Sequence, residues 1–141
     1  MIKFRNNEYQ CSMELTLALI GGKWKALILW HLGDKVLRYN EMRKMLPNVT
    51  PKMLTQQLRE LEDSGLVKRF IYSQIPPKVE YSLTQAGKSL LPILDFLCKW
   101  GLNYANECEQ TAQSKDSDLQ SETAKTSDLE TPAVLEAVHS D

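Results

Sequence analysis

Lys52, Gln56, Arg59 and Asp63 follow one another at intervals of four, three and four residues. At 100° per residue these spacings put all four on one face of a helix. Thr55 flanks that face near its N-terminal end. The side chains are short or forked hydrogen-bonding groups, unlike the Glu/Lys mixture of a merely solvated surface. Gln and Arg can each form two parallel hydrogen bonds to a purine edge, and Lys can meet a phosphate. Recognition of a nucleic acid is the chemistry this set could do. A plain solvent-facing surface is the alternative, and the elements around the set decide between them.

The helix that must carry these residues is well marked. Thr50 is a good N-cap, and Pro51 suits the first helical position, where its missing N–H costs nothing. Leu54, Leu58 and Leu61 recur at i, i+4 and i+7 on the opposite side and make one buried stripe. Gly65 supplies the left-handed residue after the helix, so the expected span is Pro51–Ser64. Val67 to Ile71 and Val79 to Leu83 then alternate as strands do, with Val79, Tyr81 and Leu83 on one face. The connection from Tyr72 to Lys78 is longer than a tight hairpin turn. It contains Pro76-Pro77, which stiffen the tip and cannot extend a ladder. Lys68, Arg69 and Lys78 place positive charge where the ribbon would meet phosphates; a solvated hairpin with an Arg69–Glu80 cross-strand pair is the alternative, and that pair can coexist with a DNA contact by Lys78. A capped helix followed by a ribbon with a basic tip is the layout of a winged helix-turn-helix. One helix enters the DNA major groove and the β-wing lies beside it.

The remaining ordered elements read as helices. Met13 to Ile20 is ended by Gly21-Gly22, and Lys23 to Leu32 carries Trp24, Leu27, Ile28 and His31 on one side before Gly33. Asn40 is placed to cap Glu41 to Leu46, which Pro47 closes. Thr84 caps the next segment, Gly87 interrupts it, and an apolar helix is expected from about Lys88 to Tyr104. Its apolar residues occupy most of its circumference. One face can pack on its own small domain, and the rest calls for a second copy, since large exposed apolar patches are rare on monomers. Leu90, Leu94, Leu97, Trp100 and Tyr104 are the expected dimer contacts. The expected fold is therefore mainly α with a small antiparallel β-hairpin wing, α+β in class, dimerised through terminal helices.

Charge divides the chain. Residues 1–106 hold 15 Lys and Arg against 9 Asp and Glu, a balance of +6, whereas residues 107–141 hold 2 against 9, a balance of −7. A basic body suits a polyanion partner better than the net charge of −1 suggests. The tail has no aromatic residue and few large aliphatics, so it is expected to be disordered, with a short amphipathic turn around Val134, Leu135 and Val138 conceivable. Three segments result: an N-terminal arm over 1–10, a DNA-binding and dimerisation domain over 11–106, and an acidic tail over 107–141. No apolar run approaches the ~20 residues of a membrane span, and the first ten residues have no signal-peptide core, so a cytoplasmic protein is expected. Cys11, Cys98 and Cys108 match no disulfide framework or zinc spacing, and no cofactor or metal is expected.

Taken in order, several motifs resemble HxlR-type bacterial transcriptional regulators, winged-helix relatives of the MarR group. They are Gly22-Lys23-Trp24-Lys25, Arg38-Tyr39-Asn40-Glu41-Met42, Leu54-Thr55-Gln56-Gln57-Leu58-Arg59-Glu60-Leu61, Gly65-Leu66-Val67 and Pro76-Pro77-Lys78-Val79-Glu80-Tyr81-Ser82-Leu83-Thr84 with Gly87. The resemblance covers about residues 11–104. It implies a homodimer on palindromic operator DNA, with Arg38, Lys52, Thr55, Gln56, Arg59, Arg69 and Lys78 as contacts. The usual Arg-Phe-x-Glu-Leu appears here as Arg38-Tyr39-Asn40-Glu41-Met42, which keeps the aromatic and apolar roles.

The resemblance also draws attention to Cys11, since many members have a cysteine just before the first helix and in some it senses oxidants or electrophiles. Helix N-termini are electropositive and favour thiolate over thiol. Ser12 follows where many relatives have proline, and a small structural cysteine is the alternative. Cys98 is expected in the core and Cys108 exposed, either being a candidate partner thiol. Trp24 and Trp100 are expected to pack, or to line a cavity between subunits that takes a small-molecule effector. Two other functions compete with a DNA-binding regulator. One is a winged-helix module that binds protein, its basic face covered by the acidic tail. The other is a thiol enzyme using Cys11, for which no His, Asp or Glu stands at a spacing that suggests a base; an enzyme is not expected.

Overall fold

The computed structural model describes residues 1–127. The N-terminal arm is folded: β1 (Ile2–Phe4) pairs antiparallel with β2 (Asn7–Tyr9), and Phe4 faces Asn7 across a two-residue turn. Strands of three residues are too short to leave a readable alternation, so the sequence shows only an arm. Helix α1 (Ser12–Ile20) follows, then α2 (Trp24–Leu32) after the glycine pair. Helix α3 (Tyr39–Met45) begins earlier than Asn40 capping would require. Arg38 is the flanking residue, and its backbone N–H donates to the Glu41 carboxylate at 3.4 Å. A Glu three residues into a helix reaches back to the entry N–H, and that contact moves the start. Asn40 lies inside the first turn.

Helix α4 (Pro51–Asp63) has the capping read from sequence: Met53 N–H donates to Thr50 Oγ1 at 3.1 Å. Leu54, Leu58 and Leu61 are at most 2% exposed. Burying each is worth about 1.5–3 kcal/mol before ordering entropy is counted. They meet Ile28, Leu29 and Leu32 of α2 in a core that includes Val67 and Leu83 from the wing. Strands β3 (Val67–Tyr72) and β4 (Lys78–Leu83) form that wing, antiparallel, with Val67 opposite Leu83 and Tyr72 opposite Lys78. Leu37 exchanges two backbone hydrogen bonds with Tyr81, at 2.9 and 2.8 Å, and ties the base of the wing to the body.

Helix α5 (Gln85–Ser89) starts at Thr84, whose hydroxyl accepts from Gly87 N–H at 3.1 Å and donates to the Gly65 carbonyl at 2.6 Å. Gly87 lies within this helix and does not interrupt it. Helix α6 (Leu91–Ser127) then runs well past Tyr104 and past the break expected near Asn106. The disorder expected from Glu107 is thus corrected as far as Ser127. No Gly or Pro falls between Leu102 and Thr131, and Ala, Glu, Gln and Lys are adequate helix formers without burial. Polarity there specifies exposure, and the side chains of 107–120 are all exposed. The turn around Val134, Leu135 and Val138 lies outside the described residues. The chain divides into two compact units, Met1–Cys98 and Lys99–Asp141.

Candidate nucleic-acid interface

The exposed face of α4 is positioned at both ends. Thr50 caps the start. At the other end Gly65 takes φ +79°, Gly65 N–H donates to the Glu62 carbonyl and Leu66 N–H to the Leu61 carbonyl, each at 3.0 Å. With its leucine stripe buried in the core, the opposite face of α4 is turned outward. Lys52, Gln56 and Arg59 are exposed on it, and Thr55 is half-buried. Together with Pro51 and Glu60 they line a shallow depression of ≈ 520 Å³.

Two residues that sequence reading passed over hold this face in place. Lys25 of α2 pairs with Glu60 at 2.7 Å, and the other carboxylate oxygen of Glu60 accepts from Gln56 Nε2 at 3.2 Å. Lys25, and then Gln56, hold the Glu60 carboxyl below its ordinary range. Tyr39 donates to the Pro51 carbonyl at 3.0 Å and accepts from Thr55 Oγ1 at 3.4 Å, which ties α3 to the first turn of α4. The contacts of Lys25 and Tyr39 join residues 12 to 35 positions apart, beyond the reach of any local pattern. Arg59 is exposed and forms no ion pair among the described residues.

The wing carries its charge differently from expectation. Arg69 faces Tyr81 and Phe70 faces Glu80, so Arg69 and Glu80 project to opposite sides and the cross-strand pair of the alternative, solvated-hairpin reading does not form. Arg69 instead reaches Glu62 of α4 at 3.7 Å. Near the tip Lys78 pairs with Glu80 at 2.9 Å and lies 4.8 Å from the centre of the Tyr72 ring, while Tyr72 donates to Glu80 at 3.0 Å. Lys78, more than Tyr72 or the charge of Arg38, holds the Glu80 carboxyl below its ordinary range. The hydrogen bond to Glu80 pushes the Tyr72 phenol up. Arg38 is exposed at the start of α3. The structure therefore brings Lys52, Thr55, Gln56 and Arg59 onto one surface and distributes Arg38, Arg69 and Lys78 between α3 and the wing.

The other expected residues divide. Cys11 is exposed immediately before α1, and Cys108 is exposed as expected. Cys98 is exposed too, a correction: burial along α6 fades after Leu94 and the half-buried Asp95, and Cys98 lies beyond. Leu94, at 4% exposed, packs in the core of its own chain and is corrected as a dimer contact. Leu90 is half-buried against that core. Trp100 does not pack in the core of its own chain: it is 66% exposed and stacks on Tyr104 at 5.1 Å. Leu97 is also exposed, whereas Trp24 packs on the core.

Residues 19–109 match the family described as HxlR-like helix-turn-helix. An HTH-type transcriptional regulator from Methanothermobacter thermautotrophicus is 49% identical over 108 residues, 77% of this chain and 82% of that protein. The HTH-type regulator YtcD of Bacillus subtilis is 54% identical over 99 residues, 70% of this chain and 79% of its own length. Among solved structures, the redox regulator HypR in its oxidised form superposes with a TM-score of 0.64 at 50% identity, covering 66% of this chain and 96% of that one.

Proposed function

The chain belongs to the HxlR-like helix-turn-helix family of DNA-binding transcriptional regulators, and we propose that it acts as a homodimer that reads a two-fold symmetric operator with α4. Relatives such as these two are named as HTH-type transcriptional regulators, and the chain is not an enzyme. The observation that carries the finer reading is the α4 face. Three exposed polar side chains, Lys52, Gln56 and Arg59, project from a helix whose other side is fixed in the core. In this role Gln56 and Arg59 meet base edges, and Lys52 and the wing cations meet phosphates. Two copies would place their α4 helices about 34 Å apart, one turn of DNA. The exposed apolar residues Leu97, Trp100 and Tyr104 of α6 supply the contact between copies. The cytoplasm, where the DNA is, is the compartment that fits.

Regulation through a thiol fits the same chain. Cys11 is exposed, and a relative of known structure is named as a redox regulator. An oxidant such as diamide takes two electrons and two protons from a pair of thiols and leaves a disulfide, so Cys11 needs a partner such as Cys98 or Cys108. An electrophile or another small-molecule effector is also compatible with an exposed thiol.

The test uses the duplex that the protein enriches from a randomised library. Arg59→Ala should lose about 1–3 kcal/mol of affinity for it and relax preference at the bases it contacts. Unchanged affinity and preference would remove α4 as the reading element. In the same mobility shift, diamide should change binding of the wild type and leave Cys11→Ser unaffected. If both respond alike, Cys11 is structural.

A further inference from the structure

The turn between β1 and β2 is made by Arg5 and Asn6, since Phe4 and Asn7 are the last paired residues. Arg5 sits at φ +56°, and among the described residues it is the only non-glycine with positive φ. The first position of such a two-residue turn favours glycine. An arginine held there calls for a compensating contact by its side chain. That contact exists: the Arg5 guanidinium donates to the backbone carbonyl of Asp63, 58 residues away and the last residue of α4.

The carbonyls at the end of α4 show what this contact does. A helix leaves its last four carbonyls without intrahelical partners. Here the Glu60 carbonyl accepts from Ser64 N–H at 2.9 Å, and those of Leu61 and Glu62 accept from Leu66 and Gly65 at 3.0 Å. The turn that ends the helix thus satisfies three. The fourth, Asp63, is met by Arg5, whose charge also suits the negative end of the helix. Asp63 lies one turn beyond Arg59 on the same face. The hairpin itself lies against α1 and so is anchored to the body.

We infer that Arg5 is a positioning residue for DNA readout: the N-terminal hairpin braces the C-terminal end of α4 through the Asp63 carbonyl and thereby fixes where Arg59 points. This role rests on the reading of α4 as the DNA-recognition helix. Arg5 does not touch the bases in it. A brace of this kind affects discrimination, because bidentate contacts to bases tolerate little displacement, whereas contacts to phosphates tolerate more.

The experiment compares the wild type, Arg5→Gly and Arg5→Lys by fluorescence anisotropy. Two duplexes of equal length serve as probes, the one enriched by the wild type from a randomised library and one of random sequence. Thermal unfolding is followed in parallel. Arg5→Gly relieves the turn while removing the guanidinium. It should bind the enriched duplex about tenfold more weakly and the random duplex as the wild type does, with no fall in unfolding midpoint. Arg5→Lys, which can still donate to Asp63, should recover part of the loss. Unchanged binding of the enriched duplex by Arg5→Gly overturns the brace. So does an equal loss on both duplexes with a shallower salt dependence, which would make Arg5 a phosphate contact. A loss accompanied by a lower unfolding midpoint would make its role structural and likewise overturns it. If the wild type enriches no duplex, DNA reading by α4 falls first, and this inference falls with it.

Discussion

Gly87 and Gly101 both lie in helices, and the structure gives them opposite consequences. A Cβ on Gly87 would stand 2.2 Å from the Leu66 carbonyl oxygen and 3.2 Å from Leu83 Cβ, whereas one on Gly101 meets nothing within 4 Å. The first obstacle is backbone and cannot swing aside. Gly87→Ala should therefore destabilise the fold by about 1–3 kcal/mol, as overpacking does. Gly101→Ala should be neutral or stabilising by up to about 1 kcal/mol, the helix-propensity difference. Urea denaturation of the two variants checks both, and equal midpoints would show that α5 does not pack on Leu66 this closely. The sequence marks Gly87 only as a break in a pattern, because its reason lies in Leu66, across the wing. The same limit explains other residues. The stripe of Leu54, Leu58 and Leu61 is legible since its period is local. The Lys25–Glu60 pair is not, nor is the Arg69–Glu62 contact, since a one-residue difference in register decides that Arg69 and Glu80 lie on opposite faces of the ribbon.

Helix α4 shows how far an element can be read before its neighbours are known. Its cap, its stripe and its glycine stop are each local, and together they place its ends correctly to within a residue. Its surroundings are where reading fails: the arm that becomes β1 and β2, and α6, whose length depends on propensity where burial is lacking. What fixes α4 against α2 includes the charge of Glu60, and this gives a pH dependence. Lys25 first, and Gln56 second, hold the Glu60 carboxyl below its ordinary range in the folded chain. The folded state therefore favours ionised Glu60 more than the unfolded chain does. This stability is fully present above the ordinary carboxylate range and is lost as pH falls through the depressed folded value. Glu60 is partly exposed, so solvent screening keeps the contribution small, about 0.2–1 kcal/mol. Glu60→Gln should lower stability by that amount at neutral pH, and the two proteins should converge in acid. A gap that persists undiminished in acid would assign the loss to packing and not to charge.

The two compact units divide the chemistry as well as the chain. The first, Met1–Cys98, holds the α4 face and, among the described residues, all the buried side chains. The second begins at Lys99 and carries exposed Trp100 and Tyr104, which with exposed Leu97 recur at three and four residues along α6 and so form one row, 55%, 66% and 55% accessible for Leu97, Trp100 and Tyr104. Such a row is costly to leave in water, at roughly 25 cal/mol for each Å². Its composition was legible in the sequence as more apolar surface than one small domain can cover. Which residues remain outside was not: Leu94 turns into its own core while Leu97 and Trp100 stay out, a difference set by where the body ends along α6. A second copy that covers this row also brings a second α4, so loss of assembly should weaken DNA binding to that of a single half-site. Trp100→Glu places a charge in the middle of the row, where pairing two copies would bury it without a partner. Sedimentation velocity at micromolar concentration should show the wild type as a dimer and the variant as a monomer. On the enriched duplex the monomer should contact one half-site, so the slope of log affinity against log salt should fall to about half, following the number of phosphates met. A variant that stays dimeric with an unchanged slope would move the subunit contact off this face of α6. A variant that becomes monomeric yet keeps the full slope would show that one copy spans all the phosphates, and a two-fold operator would no longer be needed.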